Sequence, residues 1–367
     1  MSEPATSTVS PRLRVDVILP VHSPHRPIER ALASILDGTR ASIKVSIVVH
    51  NTPRDTIVAR LGPIINDTRV RVLEHHDGIP SPAGPMNLGY ASATAEFTCL
   101  VGSDDELEYG AIDAWLDAAD QENADVVIAP HRILGGSIDP YPPVRAGRKM
   151  LDGVKDRLSY RSAPLGLVSR ERFGSLRLTE GMGSGEDLAF VTTLWFAGVR
   201  VCFPTHAPAY LGHTDSDDED FAFLHEIESM ELFTTLTLAQ RTALAVKVYR
   251  IHVFDAILAR CGNDGLGEEN RQALDAVLRR LGQWAPKARK LLSIADDRAL
   301  KQALDPNTSG DQLRQALNCR WHYKTVAAIM TVNPLYVLDR QAPFRTLAAG
   351  SRVVREISSA AARRLGR

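Results

Sequence analysis

Cys99-Leu100-Val101-Gly102-Ser103-Asp104-Asp105 is an apolar run that ends abruptly in two adjacent carboxylates. A buried strand opening onto acids makes a mouth suited to a hard divalent cation and a phosphorylated ligand. Such ions take oxygen ligands, and open α/β sheets bind at the carboxyl ends of their strands. The same Ser-Asp-Asp would also serve to start a helix, where Ser and Asp are favoured. The surrounding chain decides between the two readings.

Upstream, residues 15–21, 45–49 and 70–73 read as strands, and 97–101 is the strand that carries the acids. Apolar residues recur at helical spacing between them (Ile28, Leu32, Ile35 and Leu36), and again over 86–95 and 111–119. Further strands are expected at 124–129, 165–168 and 199–203, with a helix over 187–197. Strands alternating with helices every 20 to 30 or so residues indicate βαβ crossovers and a mainly parallel sheet flanked by helices. In such a sheet the strand ends Pro20-Val21-His22, His50-Asn51-Thr52 and Asp104-Asp105 converge on one site. Residues 131–161, rich in Gly, Pro and Arg, read as irregular.

After the acidic stretch 215–220 the pattern changes to amphipathic helices only. Thr237-Leu238-Ala239-Gln240 forms a capping-box pattern opening a helix that runs to Cys261-Gly262, and further helices are expected over 268–281, 287–294 and 310–319. The expected organisation is a disordered N-terminus over 1–12, an α/β catalytic domain over 13–220 and a helical C-terminal domain over 221–367.

Composition narrows the function. A net charge of −1 gives no global pull toward nucleic acid. Four scattered cysteines without CxxC pairing argue against a metal cluster or a disulfide framework. No Walker A sequence, no GxGxxG after the first strand, no HExxH and no GxSxG is present, which weighs against ATPase, nicotinamide-dehydrogenase, zinc-protease and serine-hydrolase chemistry. The N-terminus lacks a signal-peptide pattern, and no apolar run approaches the roughly 20 residues that span a bilayer, so a cytoplasmic location is expected, at most peripheral to a membrane.

Five segments, taken in order, resemble the family 2 glycosyltransferases of GT-A fold. Val15-Asp16-Val17-Ile18-Leu19-Pro20-Val21-His22 is similar to the family's first strand and Pro-Val turn, and Val45-Ser46-Ile47-Val48-Val49-His50-Asn51 to its second strand. Pro82-Ala83-Gly84-Pro85-Met86-Asn87-Leu88-Gly89 resembles the Gly- and Asn-bearing segment under the nucleotide. The run from Ala95 to Asp105 resembles the strand with the metal-binding acids, and Gly185-Glu186-Asp187 the Glu-Asp motif that supplies a general base.

The resemblance implies an inverting transfer of a sugar from a nucleotide-sugar donor, UDP-linked in most members, to an acceptor hydroxyl. Pro20, Val21, His22, Asn51, Asn87, Ser103 and Asp104 would form the donor pocket. Asp104, Asp105 and His213 would hold a Mg²⁺ or Mn²⁺ ion, and Asp187 would be the catalytic base. The acceptor class is a sugar, a polyol phosphate or a lipid-linked chain, as in cell-surface polysaccharide or glycolipid synthesis.

Two departures stand out. Gly102 occupies the first position of the usual Asp-x-Asp-Asp, and His50-Asn51 replaces the usual acidic end of the second strand, leaving Asn51 as an amide reader of the base. They raise the alternative of a catalytically degenerate nucleotide-sugar-binding or scaffold protein on the same fold. Glu186-Asp187 would also simply start a helix, where the dipole favours acids, and His213 would also fit an ordinary acidic loop.

Other charges stay open between function and solvation: the His75-His76 pair, Arg132, Arg145, Arg148 and Lys149 as diphosphate guides, and Arg170 and Arg172 on the acceptor side. The tail from Arg340 onward carries seven arginines against the single Glu356, with apolar residues interleaved. That basic amphipathic pattern fits an anionic membrane surface, a helix packed on the domain, or a homo-oligomer contact.

Overall fold

The computed structural model describes residues 12–133, 138–183, 185–212, 223–364 and 366. Apart from Arg12, the N-terminal segment expected to be disordered lies outside them, as does His213 with the acidic stretch around it.

A seven-stranded sheet has the order β3-β2-β1-β4-β8-β6-β9. Its strands are β1 (Val15–Val21), β2 (Ile43–His50), β3 (Val70–His75), β4 (Phe97–Leu100), β6 (Val126–Ile128), β8 (Gly166–Ser169) and β9 (Val201–Cys202). β8 runs antiparallel to both β4 and β6, whereas the other pairings are parallel. A second sheet joins β5 (Glu106–Leu107), β10 (Tyr210–Gly212) and β7 (His131–Ile133) in the order β5-β10-β7.

The helices α1 (Ile28–Asp37), α2 (Arg54–Leu61), α3 (Ala83–Ser92), α4 (Ala111–Glu122), α5 (Arg170–Phe173) and α6 (Leu188–Phe196) connect or flank the strands. This is the mainly parallel sheet flanked by helices that the alternating pattern predicts.

Side chains alternate across β1 with period two. Val15, Val17, Leu19 and Val21 point into a core with α1 and α4 residues such as Leu32 and Trp115. Ile18 points into the opposite core. That second core continues without a break into the C-terminal helices, taking in Tyr249, Phe254, Leu281 and Ile357. The change near residue 220 is therefore a change of element type inside one packed body. Cys99 and Cys202 lie in the sheet core, and burial pushes both thiols up to about 12.

The helical region comprises α7 (Phe223–Ser229), α8 (Glu231–Thr235), α9 (Leu238–Val248), α10 (Phe254–Arg260), α11 (Glu268–Trp284), α12 (Ile294–Leu304), α13 (Gly310–Cys319), α14 (Val326–Ile329) and α15 (Pro343–Arg364). The Thr237/Gln240 capping box is formed, with the Gln240 side chain accepting from the Thr237 amide at 2.8 Å. The long helix it opens is interrupted by a π-helical turn, Tyr249–Val253, before α10. The helix expected over 287–294 is only a short 3₁₀ turn, Ala288–Leu291, because Ser293 caps α12 instead.

The basic tail forms α15 and lies against the sheet domain. Val353, Ile357 and Ala360 are buried, Arg352 donates to the Val144 carbonyl, and Arg364 donates to Glu108 and to the His206 carbonyl. Among the described residues no helix is long and apolar enough to cross a membrane.

Candidate functional site

A cavity of about 950 Å³ opens at the carboxyl ends of β1, β2 and β4. Its wall draws on the β1 end (Pro20, His22), the β2 end (His50, Asn51), the segment before α3, the Gly102-Ser103-Asp104 turn and the Glu186-Asp187 pair. The helical region contributes His252 from the π turn.

The two acids after β4 take different directions. Asp104 lines the cavity, where its carboxylate accepts from Arg26 and its carbonyl from Arg30 of α1. Asp105 turns inward and accepts from the hydroxyl of Tyr210, itself fully buried on β10, and that hydroxyl accepts from the Gly102 amide at 2.9 Å. Burial, and then the Asp105 charge, hold the Tyr210 phenol well above its ordinary value, so it stays a hydrogen donor. A Cβ on Gly102 would meet the Asp105 carboxylate at 2.5 Å. The glycine at this position thus lets Asp105 fold back beneath the turn.

A divalent ion fits this donor set in one way. Mg²⁺ and Mn²⁺ bind diphosphates through one or two protein carboxylates, with substrate oxygens and water completing the shell. Asp104 supplies one such carboxylate toward the cavity. Asp105, bonded to Tyr210 through one oxygen, is not among the residues that line the cavity.

Gly185 has φ +75°, a left-handed conformation easy for glycine, and turns the chain so that Glu186 and Asp187 enter the cavity wall. Asp187 is the N-cap residue of α6, but its side chain makes no capping hydrogen bond; its carboxylate sits on the cavity wall instead.

Asn87 holds this segment from the other side. Its amide donates to the Leu178 carbonyl and to Glu180, each at 3.0 Å, and its oxygen accepts from the Leu178 amide at 2.9 Å. Thr179 in turn donates to the Glu186 carbonyl at 3.0 Å.

At the β2 and β3 ends a polar cluster is tied together by Asp77. Its carboxylate bonds His50 Nε2 at 2.9 Å and His75 Nε2 at 3.1 Å, and accepts from the Ile79 amide at 2.9 Å. These contacts, the Ile79 amide first, hold the Asp77 carboxyl well below the usual carboxylate range. Asn51, at φ +51°, accepts from the Asp77 and Gly78 amides and donates to Asp77 and the Ile79 carbonyl. Its amide thus shapes the 77–79 turn at the edge of the cavity.

Of the expected site residues, Pro20, His22, Asn51, Ser103, Asp104 and Asp187 line one cavity. Val21 does not, because the strand's period turns it into the α1–α4 core. Asn87 is buried and bonded to Leu178 and Glu180, Asp105 accepts from Tyr210, and neither is among the residues that line the cavity. His213 lies outside the described residues. Arg132, Arg145 and Lys149 are paired with Glu108, Asp156 and Glu122, and neither they nor Arg148 line the cavity. Arg170 donates to the Ala95 carbonyl at 2.7 Å, at the amino end of β4 and away from the site; Arg172 lies 3.8 Å from Asp125. His75 is half-buried in the Asp77 cluster, and His76 reaches the cavity.

Three contributors escape a reading by motif: Arg26, Asp77 and His252. For His252 the nearest signal is a lysine, Lys247, five residues earlier in an apolar helix. Lys247 and His252 are both buried, with Nζ against Nε2.

The comparisons agree with this fold. Three crystal structures of S. aureus TarS share the fold. TarS 1–349 in complex with UDP-GlcNAc has a TM-score of 0.64 and 15% identity, over 85% of this chain and 93% of that one. TarS 1–349 alone has a TM-score of 0.63 and 17% identity, over 85% and 92%. The longer TarS structure has a TM-score of 0.64 and 17% identity, over 83% of this chain and 55% of that one. No curated protein sequence matches. Residues 16–173 match the model of glycosyl transferase family 2, so with its GT-A-like fold the chain carries a domain of that family.

Proposed function

We propose that the chain is a nucleotide-sugar-dependent glycosyltransferase acting with inversion, with a UDP-sugar as donor. One observation carries this reading. Asp104, suited to a metal–diphosphate, and Asp187, a carboxylate not used to cap its helix, line the same cavity in a glycosyl transferase family 2 domain. The complex of TarS with UDP-GlcNAc supports that nucleotide sugar as the first donor to try.

In this reading Asp187 takes the proton of the acceptor hydroxyl as its oxygen attacks the anomeric carbon. The bond from that carbon to the diphosphate oxygen breaks, and the nucleoside diphosphate leaves with the bonding electron pair. Asp104 would hold a Mg²⁺ or Mn²⁺ ion, which when bound neutralises charge developing on the leaving diphosphate. Arg26, already turned to Asp104, adds a fixed positive charge on that side. His252, braced by Lys247, bounds the site on the side of the helical region.

A second reading, a nucleotide-sugar-binding protein without turnover, draws on Gly102 and on the engagement of Asp105 with Tyr210. A thermal-shift series with UDP and UDP-GlcNAc, with and without Mn²⁺, followed by donor hydrolysis, separates the two. The transferase reading expects a Mn²⁺-dependent shift and turnover that falls by about 10² to 10⁴ in Asp187→Asn with UDP binding retained. A shift without wild-type turnover across the common UDP-sugars favours the binding protein. No shift with either nucleotide sinks the donor site.

A further inference from the structure

The π turn that sends His252 into the donor cavity also places Arg250 on a second cavity. This one measures about 580 Å³ and lies between the catalytic sheet domain, the C-terminal helices and α15. Arg250 is only 6% exposed, yet among the described residues no carboxylate lies within hydrogen-bonding distance of it. The nearest, Asp296, stands 3.9 Å from its Nε and is committed elsewhere: one oxygen accepts from Arg320 at 2.8 Å, the other from the Ser293 amide at 3.0 Å. The hydrogen bond that Arg250 makes goes to a neutral acceptor, the Tyr160 hydroxyl at 3.2 Å. Arg250 thus shares Asp296 with Arg320 through a long ion pair, and an anion entering the cavity would add the directly bonded counter-charge that a buried guanidinium favours.

The rest of the wall suits an oxyanion. Tyr141, stacked on Tyr160 at 5.1 Å, and Tyr323 bring phenol groups, Ser351 a hydroxyl, and Arg355 of α15 an exposed second guanidinium. Burial raises both phenols, to which Arg250 is the leading opposing charge, so both remain hydrogen donors at neutral pH. A planar carboxylate offers two oxygens in one plane. A tetrahedral phosphate offers acceptors in several directions and is the better match to donors spread over three walls.

We propose that this cavity is a phosphate-binding site, separate from the donor cavity, which takes a phosphate group either esterified to a polyol or sugar or as the free anion. Arg250 is the anchoring cation, Tyr323 and Ser351 are hydrogen donors, and Arg355 is the charge at the mouth. The inference does not depend on the transferase reading, since it rests on Arg250 and its cavity alone.

The test is titration of the full-length protein with glycerol 3-phosphate, inorganic phosphate and glucuronate, followed by NMR at constant ionic strength. Saturating UDP and Mg²⁺, diamagnetic and so compatible with NMR, keep phosphate out of the donor cavity, and UDP affinity is measured separately, so failure of the donor reading shows on its own. Wild type is expected to bind a phosphate, and Arg250→Gln to bind it about tenfold or more weakly with UDP affinity unchanged. Tighter glycerol 3-phosphate assigns the site to an esterified phosphate, and tighter inorganic phosphate to the free anion. Absent binding to wild type, unchanged affinity in folded Arg250→Gln, or a preference for glucuronate overturns the proposal. If Arg250→Gln does not fold, the double variant Tyr323→Phe/Arg355→Gln decides, because both residues are partly or fully exposed. Unchanged phosphate affinity there overturns it equally.

Discussion

Asp77 shows how one side chain can set the shape of a pocket that it does not itself line. It bridges His50 and His75 and holds the turn through which Gly78 reaches the cavity. Its carboxyl is held below the ordinary value of 3.8, so the folded state prefers the charged form. The stability this gives is present above the ordinary carboxylate pKa and is lost as pH falls through the lowered one. Asp77→Asn should therefore be less stable than wild type at neutral pH, with the gap closing below about pH 4. Urea midpoints from pH 3 to 7 check this, and a gap constant across the range would refute it. Gly102 is the complementary case, where an absent side chain matters. Without a Cβ there, Asp105 reaches Tyr210, so the departure from the family's acidic motif is matched by a local repacking.

At the scale of elements, α3 and the segment before α6 are joined by Asn87, which bonds Leu178 through both its amide and its oxygen. Asn87→Ala would leave the buried Leu178 amide and carbonyl without these partners, at a cost of about 2–3 kcal/mol. The segment bonded to Glu186 would loosen with it. The expected signature is a turnover loss approaching that of Asp187→Asn with UDP affinity nearly kept. A fall in UDP affinity with turnover preserved would return Asn87 to the donor pocket.

Hydrophobic periodicity carries β1, β2, β4, α1 and α4 into the sequence, because each buries one face or both. It is blind to what Asn87 and Asp105 do. Motif position gives the residue type and neighbourhood, but not which way a side chain turns. Periodicity also misses the antiparallel run of β8 and the π turn at Tyr249–Val253, since neither alters which residues are apolar. His252 and Arg250 become visible only once that turn aims them.

For the whole molecule, the decisive question is what α15 does. Its sequence, basic and amphipathic, suits a membrane surface as well as a packed helix. In the fold its apolar stripe faces inward: Val353 and Ile357 are fully buried, and Gly350 comes close enough to Pro140 that a Cβ would stand 3.1 Å away. Arg352 and Arg364 bond the sheet domain, and Glu356 accepts from Thr205 at 3.0 Å. Burying Val353 and Ile357 is worth roughly 1.5–3 kcal/mol each, so the helix is a large fraction of a stability that for a folded domain totals only about 5–15 kcal/mol. Ending the chain before Pro343 should therefore lower the melting temperature sharply and expose apolar surface to a dye such as ANS, in the absence of any lipid. A helix held only for a membrane would leave the truncated protein as stable as the full chain. Because α15 also forms a wall of the Arg250 cavity, the truncation should abolish phosphate binding there. UDP affinity, measured below the melting temperature of the shortened chain, should change far less, since no residue of α15 lines the donor cavity.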